Sequence, residues 1–212
     1  VFVAELWRYP VKSMGGERLE TADLLEDGIR GDRRVHVRNG RGRIVTARSR
    51  PMLLAHRATL APDGEPLVDG RPWESAAVAR DVEAAAGPGS RLARAEASGR
   101  FDVLPLLVAT DGAVAAFGYD VRRLRPNLVI GGVEGLTERT WEGRRLRIGD
   151  AVITLADLRA RCVMTTFDPD TQVQDMGVLL AIHRDFDGRL ALNAAIERPG
   201  NILVGDPVVL EN

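Results

Sequence analysis

The stretch from Arg159 to Thr171 reads RARCVMTTFDPDT and holds the only cysteine among 212 residues. Two fates are open to a lone thiol between arginines. Guanidinium charge favours the thiolate, the form that attacks electrophiles and binds soft metals. Alternatively, Cys162 is a small buried hydrophobe, the commoner role of a free cysteine. If this stretch is a strand, Ala160, Cys162 and Met164 share one face and Arg159, Arg161 and Val163 the other, which leaves room for a ligand beside the thiol. Near the start, YPVKS sets Lys12 and Ser13 after a proline, an ammonium and a hydroxyl suited to gripping one phosphate. In GDRRVHV, Arg33 and Arg34 fall on opposite faces of a strand start, so one of them can point inward. In LRPNLVI, Arg125 and Asn127 share a face ahead of an apolar run. Inward arginines suit bidentate phosphate binding. Taken singly, each of these residues also fits a solvated surface position.

Other chemistries lack their residues. His36, His56 and His183 are far apart without ligand spacing, which argues against zinc. Ser13 has no nucleophile-elbow context, and GGVEG lacks the continuation of a dinucleotide or phosphate-loop fingerprint. With 29 basic and 30 acidic residues the net charge is −1, so nothing suggests nucleic acid or an anionic membrane as a general partner. Aromatic residues at 5% offer no base-stacking platform, and Trp7, Trp73 and Trp141 read as packing residues. One cysteine rules out an internal disulfide framework and suits a reducing compartment. The opening VFVAELWRYPVKS does not resemble a signal leader, and no run approaches the roughly 20 apolar residues of a membrane span. The expected location is cytoplasmic.

The elements that position these residues are mostly strands. The first third reads as short strands punctuated by Pro, Gly, Asp and Asn, including RIVTARS and LLAHRATL. SAAVARDVEAAAG predicts a helix opening at Ser75 and ending at Gly87, and two more helices are predicted in ATDGAVAAFGYDV and GVLLAIHRDF. GPGSRLARAEASGR between them reads as a linker. RIGDAVITL and ILVGDPVVL each place Gly-Asp between β-branched runs, the signature of a tight hairpin. Strands that do not alternate regularly with helices argue against a doubly wound parallel sheet and for a barrel or sandwich with a few covering helices.

Together these phrases resemble the MOSC family. YPVKS, DRR, VTARSRP, LRPNLVI, LRIGDAVI, RCVMTTFDPDT and PGNILVGDPV occur in order and take in nearly the whole chain. The likeness is to the branch with an N-terminal MOSC β-barrel module, which includes amidoxime-reducing components and bacterial relatives. It implies an α+β, mostly β fold, with a β-rich module at 1–95 and a MOSC β-barrel core with covering helices at 96–212. It also implies the molybdenum cofactor, with Cys162 as the protein thiolate on the metal. Lys12, Ser13 and Arg33 would hold anionic parts of the cofactor, Arg125 and Asn127 its pterin and phosphate, and Asn193 would face the site. The implied reaction is reduction of N-hydroxylated or N-oxide substrates, with a separate electron-donor protein, by a monomer. A sulfur carrier working through a Cys162 persulfide and a non-catalytic cofactor carrier are the alternatives. Val103 and Leu104, where relatives have hydroxyls, depart from the pattern, as do Ala160, Gln172, Leu190 and Ala191.

Overall fold

The computed structural model of this chain describes residues 1–211, so Asn212, at the end of the expected second domain, lies outside them. Strands dominate, and eight form one sheet. Its order is Val208–Glu211, Arg145–Ile148, Ala151–Ala160, Arg189–Arg198, Leu106–Thr110, Leu128–Gly131, Phe2–Arg8 and Glu17–Leu19. The sheet is antiparallel except where Leu106–Thr110 pairs in parallel with Leu128–Gly131. Helix Asp111–Phe117 makes that crossover, opened by the Thr110 side chain accepting from Ala113 N at 3.2 Å. In Phe2–Arg8 the register shifts between Val3 and Glu5, which lets Val3 and Leu6 both face the core although simple alternation would separate them.

The mostly β, α+β class read from the sequence is the class observed, but the barrel is not closed. The two ends of the sheet meet at one bridge, Phe2 with Pro207, flanked by Val3 N to Asp206 O and Val208 N to Val1 O. A full ladder is lacking there because Phe2–Arg8 gives its other half to Glu17–Leu19.

The three expected helices form at Ala76–Ala86, Asp111–Phe117 and Met176–Phe186. The first is capped as its sequence implies: Ser75 accepts from Val78 N at 3.3 Å, and Gly87 ends it at φ 100°. The linker reading fails, since Arg91–Arg94 pairs with Val35–Arg38 and Ala97–Arg100 turns as a short helix. RIVTARS keeps only Ile44–Val45 as strand, and LLAHRATL begins within the 3-10 turn Pro51–Ala55. RIGDAVITL is a hairpin, with Ile148 opposite Ala151 across Gly149 at φ 55°. ILVGDPVVL is not: Gly200–Leu203 pairs with Thr21–Leu25, and Val208–Glu211 with Arg145–Ile148.

Four apolar clusters result, two of them large. The larger joins Val3, Leu6 and Leu24 to Leu106, Ile130 and Leu192 of the main sheet. The second gathers Val11, Val35, Leu53, Val78 and Val82, and Met164 packs against it from the other half of the chain.

Candidate functional site

The strand Ala151–Ala160 stops short of Cys162, so the alternation expected through this stretch does not hold. Cys162 is extended (φ −133°, ψ 177°) and leads into the 3-10 turn Val163–Thr166. Its carbonyl accepts from Thr165 N at 3.0 Å and Thr165 Oγ1 at 2.9 Å. Because the chain turns here, Arg159, Ala160, Arg161, Cys162 and Met164 all line one cleft instead of dividing between two faces. The thiol is half-buried and shares the cleft with Arg48.

The cleft, counted together with the solvent at its mouth, spans about 800 Å³. Lys12, Ser13, Arg33, Arg125, Asn127, Cys162 and Asn193, read from separate phrases of the sequence, all line it. Its cations are Lys12, Arg33, Arg48, Arg100, Arg123, Arg125, Arg159 and Arg161, against one lining carboxylate, Asp102. That carboxylate is held by Lys12 Nζ at 2.7 Å and Arg48 at 2.6 Å, with Arg159 at 4.0 Å. Burial pushes the Asp102 pKa up, but the Lys12 hydrogen bond and the surrounding positive charge outweigh it and hold Asp102 below the usual carboxylate range. Burial pulls Arg125 and Arg161 each down to about 10 and also lowers Arg159. Crowding this many cations into a partly enclosed space favours an anion.

Backbone strain collects here too. Ser13 (φ 72°), Arg33 (φ 49°) and Arg125 (φ 57°) are in the left-handed region that non-glycine residues avoid. What holds Arg33 there is Asp32, which is fully buried. Asp32 accepts from Tyr9 N at 2.6 Å and from Asn127 Nδ2 at 3.4 Å, and its other contact is the Arg33 guanidinium. Asn127 is thus occupied with structure: its amide also donates to Trp7 O at 3.3 Å and its side-chain oxygen accepts from Leu107 N at 3.2 Å. Asn193 similarly sets Arg159, accepting from its guanidinium at 3.0 Å while donating to Asp157 at 3.0 Å. Arg34 is exposed, but the expected strand begins only at Val35, and Arg33 reaches the cleft from a turn and not by strand alternation.

Aromatic rings space the guanidiniums. Arg125 lies 4.3 Å and Arg33 5.1 Å from the Tyr9 ring centroid, and Arg33 and Arg100 lie 5.7 and 4.9 Å from that of Phe101.

Sequence reasoning assigned no role to Asp32, Arg48 or Asp102. The signal was present for the first two, in the DRR and VTARSRP phrases, but nothing local says that a buried carboxylate will reach Asn127 or that Arg48 will meet Cys162. Of the departures from the family pattern, Leu104 and Ala160 line the cleft as apolar and small surfaces, whereas Val103 is exposed.

Two family models match: the MOSC N-terminal beta barrel domain over residues 1–102 and the MOSC domain over residues 109–209. The chain belongs to the MOSC family. This MOSC protein is 27% identical to human mitochondrial amidoxime-reducing component 1 over 281 aligned positions, covering 98% of this chain and 82% of that protein. It is 26% identical to human mitochondrial amidoxime reducing component 2, with 97% and 82% covered. Among solved structures, the YUAD protein from Bacillus subtilis matches 100% of this chain and 96% of its own, with a TM-score of 0.51 at 14% identity, a likeness of fold alone. No helix among the described residues of this MOSC protein is long and apolar enough to cross a membrane.

Proposed function

We propose that this chain binds the molybdenum cofactor in the Cys162 cleft and reduces N-hydroxylated or N-oxide substrates. The observation that carries the reading is the opening of the sole thiol into a cleft rich in guanidinium groups. The residues fit such a group. A soft metal takes a thiolate ligand, and a terminal phosphate takes arginine forks. The buried Nε of Arg161 and of Arg100, which have no hydrogen-bond partner among the described residues, add donor capacity on the same wall.

When bound, the cofactor supplies two-electron oxygen-atom transfer through its metal. Cys162 would give the protein thiolate, in a cleft that Arg48 and Arg161 also line. Lys12, Ser13, Arg33 and Arg125 hold anionic parts of the cofactor. Asn127 acts through Asp32 on Arg33, and Asn193 acts through Arg159. The net reaction consumes two electrons and two protons, turning N–OH into N–H and water. A separate electron-transfer protein delivers the electrons, and a reducing compartment such as the cytoplasm keeps Cys162 free.

The test is molybdenum and tungsten content after expression with cofactor biosynthesis intact, alongside benzamidoxime reduction with an artificial donor. Near-stoichiometric metal with turnover in the wild type, and loss of both in Cys162→Ala, is the expected result. Metal without turnover under any donor would favour a carrier. A metal-free wild type carrying cyanide-releasable sulfur on Cys162 would replace the proposal with sulfur transfer.

A further inference from the structure

A second cleft adjoins the first and, counted together with the solvent at its mouth, spans about 1060 Å³. It shares Arg123, Arg125 and Met164 with the Cys162 cleft, and neither Cys162 nor Lys12 lines it. Trp7, Tyr9 and Phe167 give it aromatic surface.

Its charges are unevenly satisfied. Arg122 is gripped by Asp120 and Asp170, at 2.6 and 2.7 Å, and Arg123 by Asp168 at 2.9 Å. His56 meets Asp69 at 2.8 Å. Two lining guanidiniums are left over. Arg57 is exposed, and its side chain has no carboxylate partner among the described residues. Arg125 stacks on the Tyr9 ring and makes no direct ion pair or side-chain hydrogen bond among the described residues, with Asp32 and Asp102 acting on it only through space. Holding a largely buried guanidinium without a directly paired carboxylate is costly, and its backbone is strained, at φ 57°. Burial lowers its pKa only to about 10, so it is still charged at neutral pH.

We propose that this second cleft binds a flat aromatic anion, its ring against the aromatic walls and its charge on Arg125 and Arg57. Ring faces and guanidinium planes are complementary to an aromatic carboxylate. Because Arg125 also lines the Cys162 cleft, an anion in either cleft reduces the charge available to the other.

The experiment is calorimetric titration of the full chain with naphthoate, with neutral naphthylmethanol and with inorganic phosphate. Wild type is compared with Arg57→Ala and Phe167→Leu, which alter only the second cleft, and with Arg48→Ala, which alters only the first. Naphthoate is expected to bind more tightly than either control. Arg57→Ala should weaken it roughly tenfold, Phe167→Leu should weaken it less, and Arg48→Ala should leave it unchanged. Loss in Arg48→Ala but not in Arg57→Ala would move the ligand to the first cleft and overturn the proposal. Equal affinity for naphthylmethanol, or no binding of naphthoate, would overturn it as well. None of these outcomes depends on metal or on turnover, so the cofactor reading stands or falls separately.

Discussion

Asp32 shows how one buried carboxylate can set a site it does not face. It ties the Tyr9 amide, the Arg33 guanidinium and the Asn127 amide together, with no exposure to solvent. Removing one partner of a buried ion pair strands the other, so Asp32→Ala is expected to cost about 3 kcal/mol by urea unfolding. Asp32→Asn, which keeps an acceptor for Tyr9 N, should cost less; equal losses would mean that the retained acceptor contributes nothing and the charge on Asp32 carries the whole effect. Asp102 makes a different prediction, about pH. Its folded-state pKa lies below the unfolded value, so it adds stability above about pH 4, and that stability is lost as pH falls through the folded pKa. Asp102→Asn removes the contribution. The stability gap between wild type and variant should therefore be open at pH 7 and close on acidification toward pH ~2. A gap that stays constant across that range would show that Lys12 and Arg48 do not stabilise the Asp102 charge.

The turn between Phe2–Arg8 and Glu17–Leu19 carries Tyr9, Lys12 and Ser13, and its geometry depends on Gly16. A Cβ there would run into the Arg8 carbonyl and sit 2.5 Å from Tyr9 Cδ1. Gly16→Ala must therefore push the turn away from the Tyr9 ring on which Arg33 and Arg125 rest. The expected cost is about 1–3 kcal/mol by thermal or urea unfolding, with weaker anion binding in the Cys162 cleft. An unperturbed variant would mean that the turn can move without the ring. The YPVKSMGG phrase announced a turn, but not that its last glycine is packed against Tyr9. The same limit holds elsewhere. Helix Ala76–Ala86 was legible because its cap, its propensity and its buried Val78 and Val82 stripe are all local. The second Gly-Asp phrase was misread because partner strands distant in sequence decide its pairing. Site residues spread from Lys12 to Asn193 could be grouped by resemblance, whereas their meeting in one cleft is a property of the folded chain.

That cleft draws its lining from both halves of the chain, and the chain crosses between the two larger apolar cores more than once. Phe2–Arg8 lies in the main sheet beside Leu128–Gly131, and Thr21–Leu25 pairs with Gly200–Leu203. Val3, Leu6, Ala22, Leu24 and Ile29 are buried with Leu106, Leu146 and Leu192, so the first residues of the chain complete the core of the last. Met164, just after Cys162, reaches back to the core built on Val11, Leu53 and Val82. Lys12 and Arg48 therefore face Cys162 and Asn193 across a seam that neither half could form alone. If two halves interlock this way, neither loses its partner without exposing apolar surface, and unfolding should be one cooperative event. Scanning calorimetry should give a single transition whose calorimetric and van't Hoff enthalpies agree. An anion that binds the seam should raise the midpoint of the whole transition, because it binds only the folded state. Two separate transitions, with the anion moving only one, would mean that the strand exchange contributes little and that the cleft opens before either core melts.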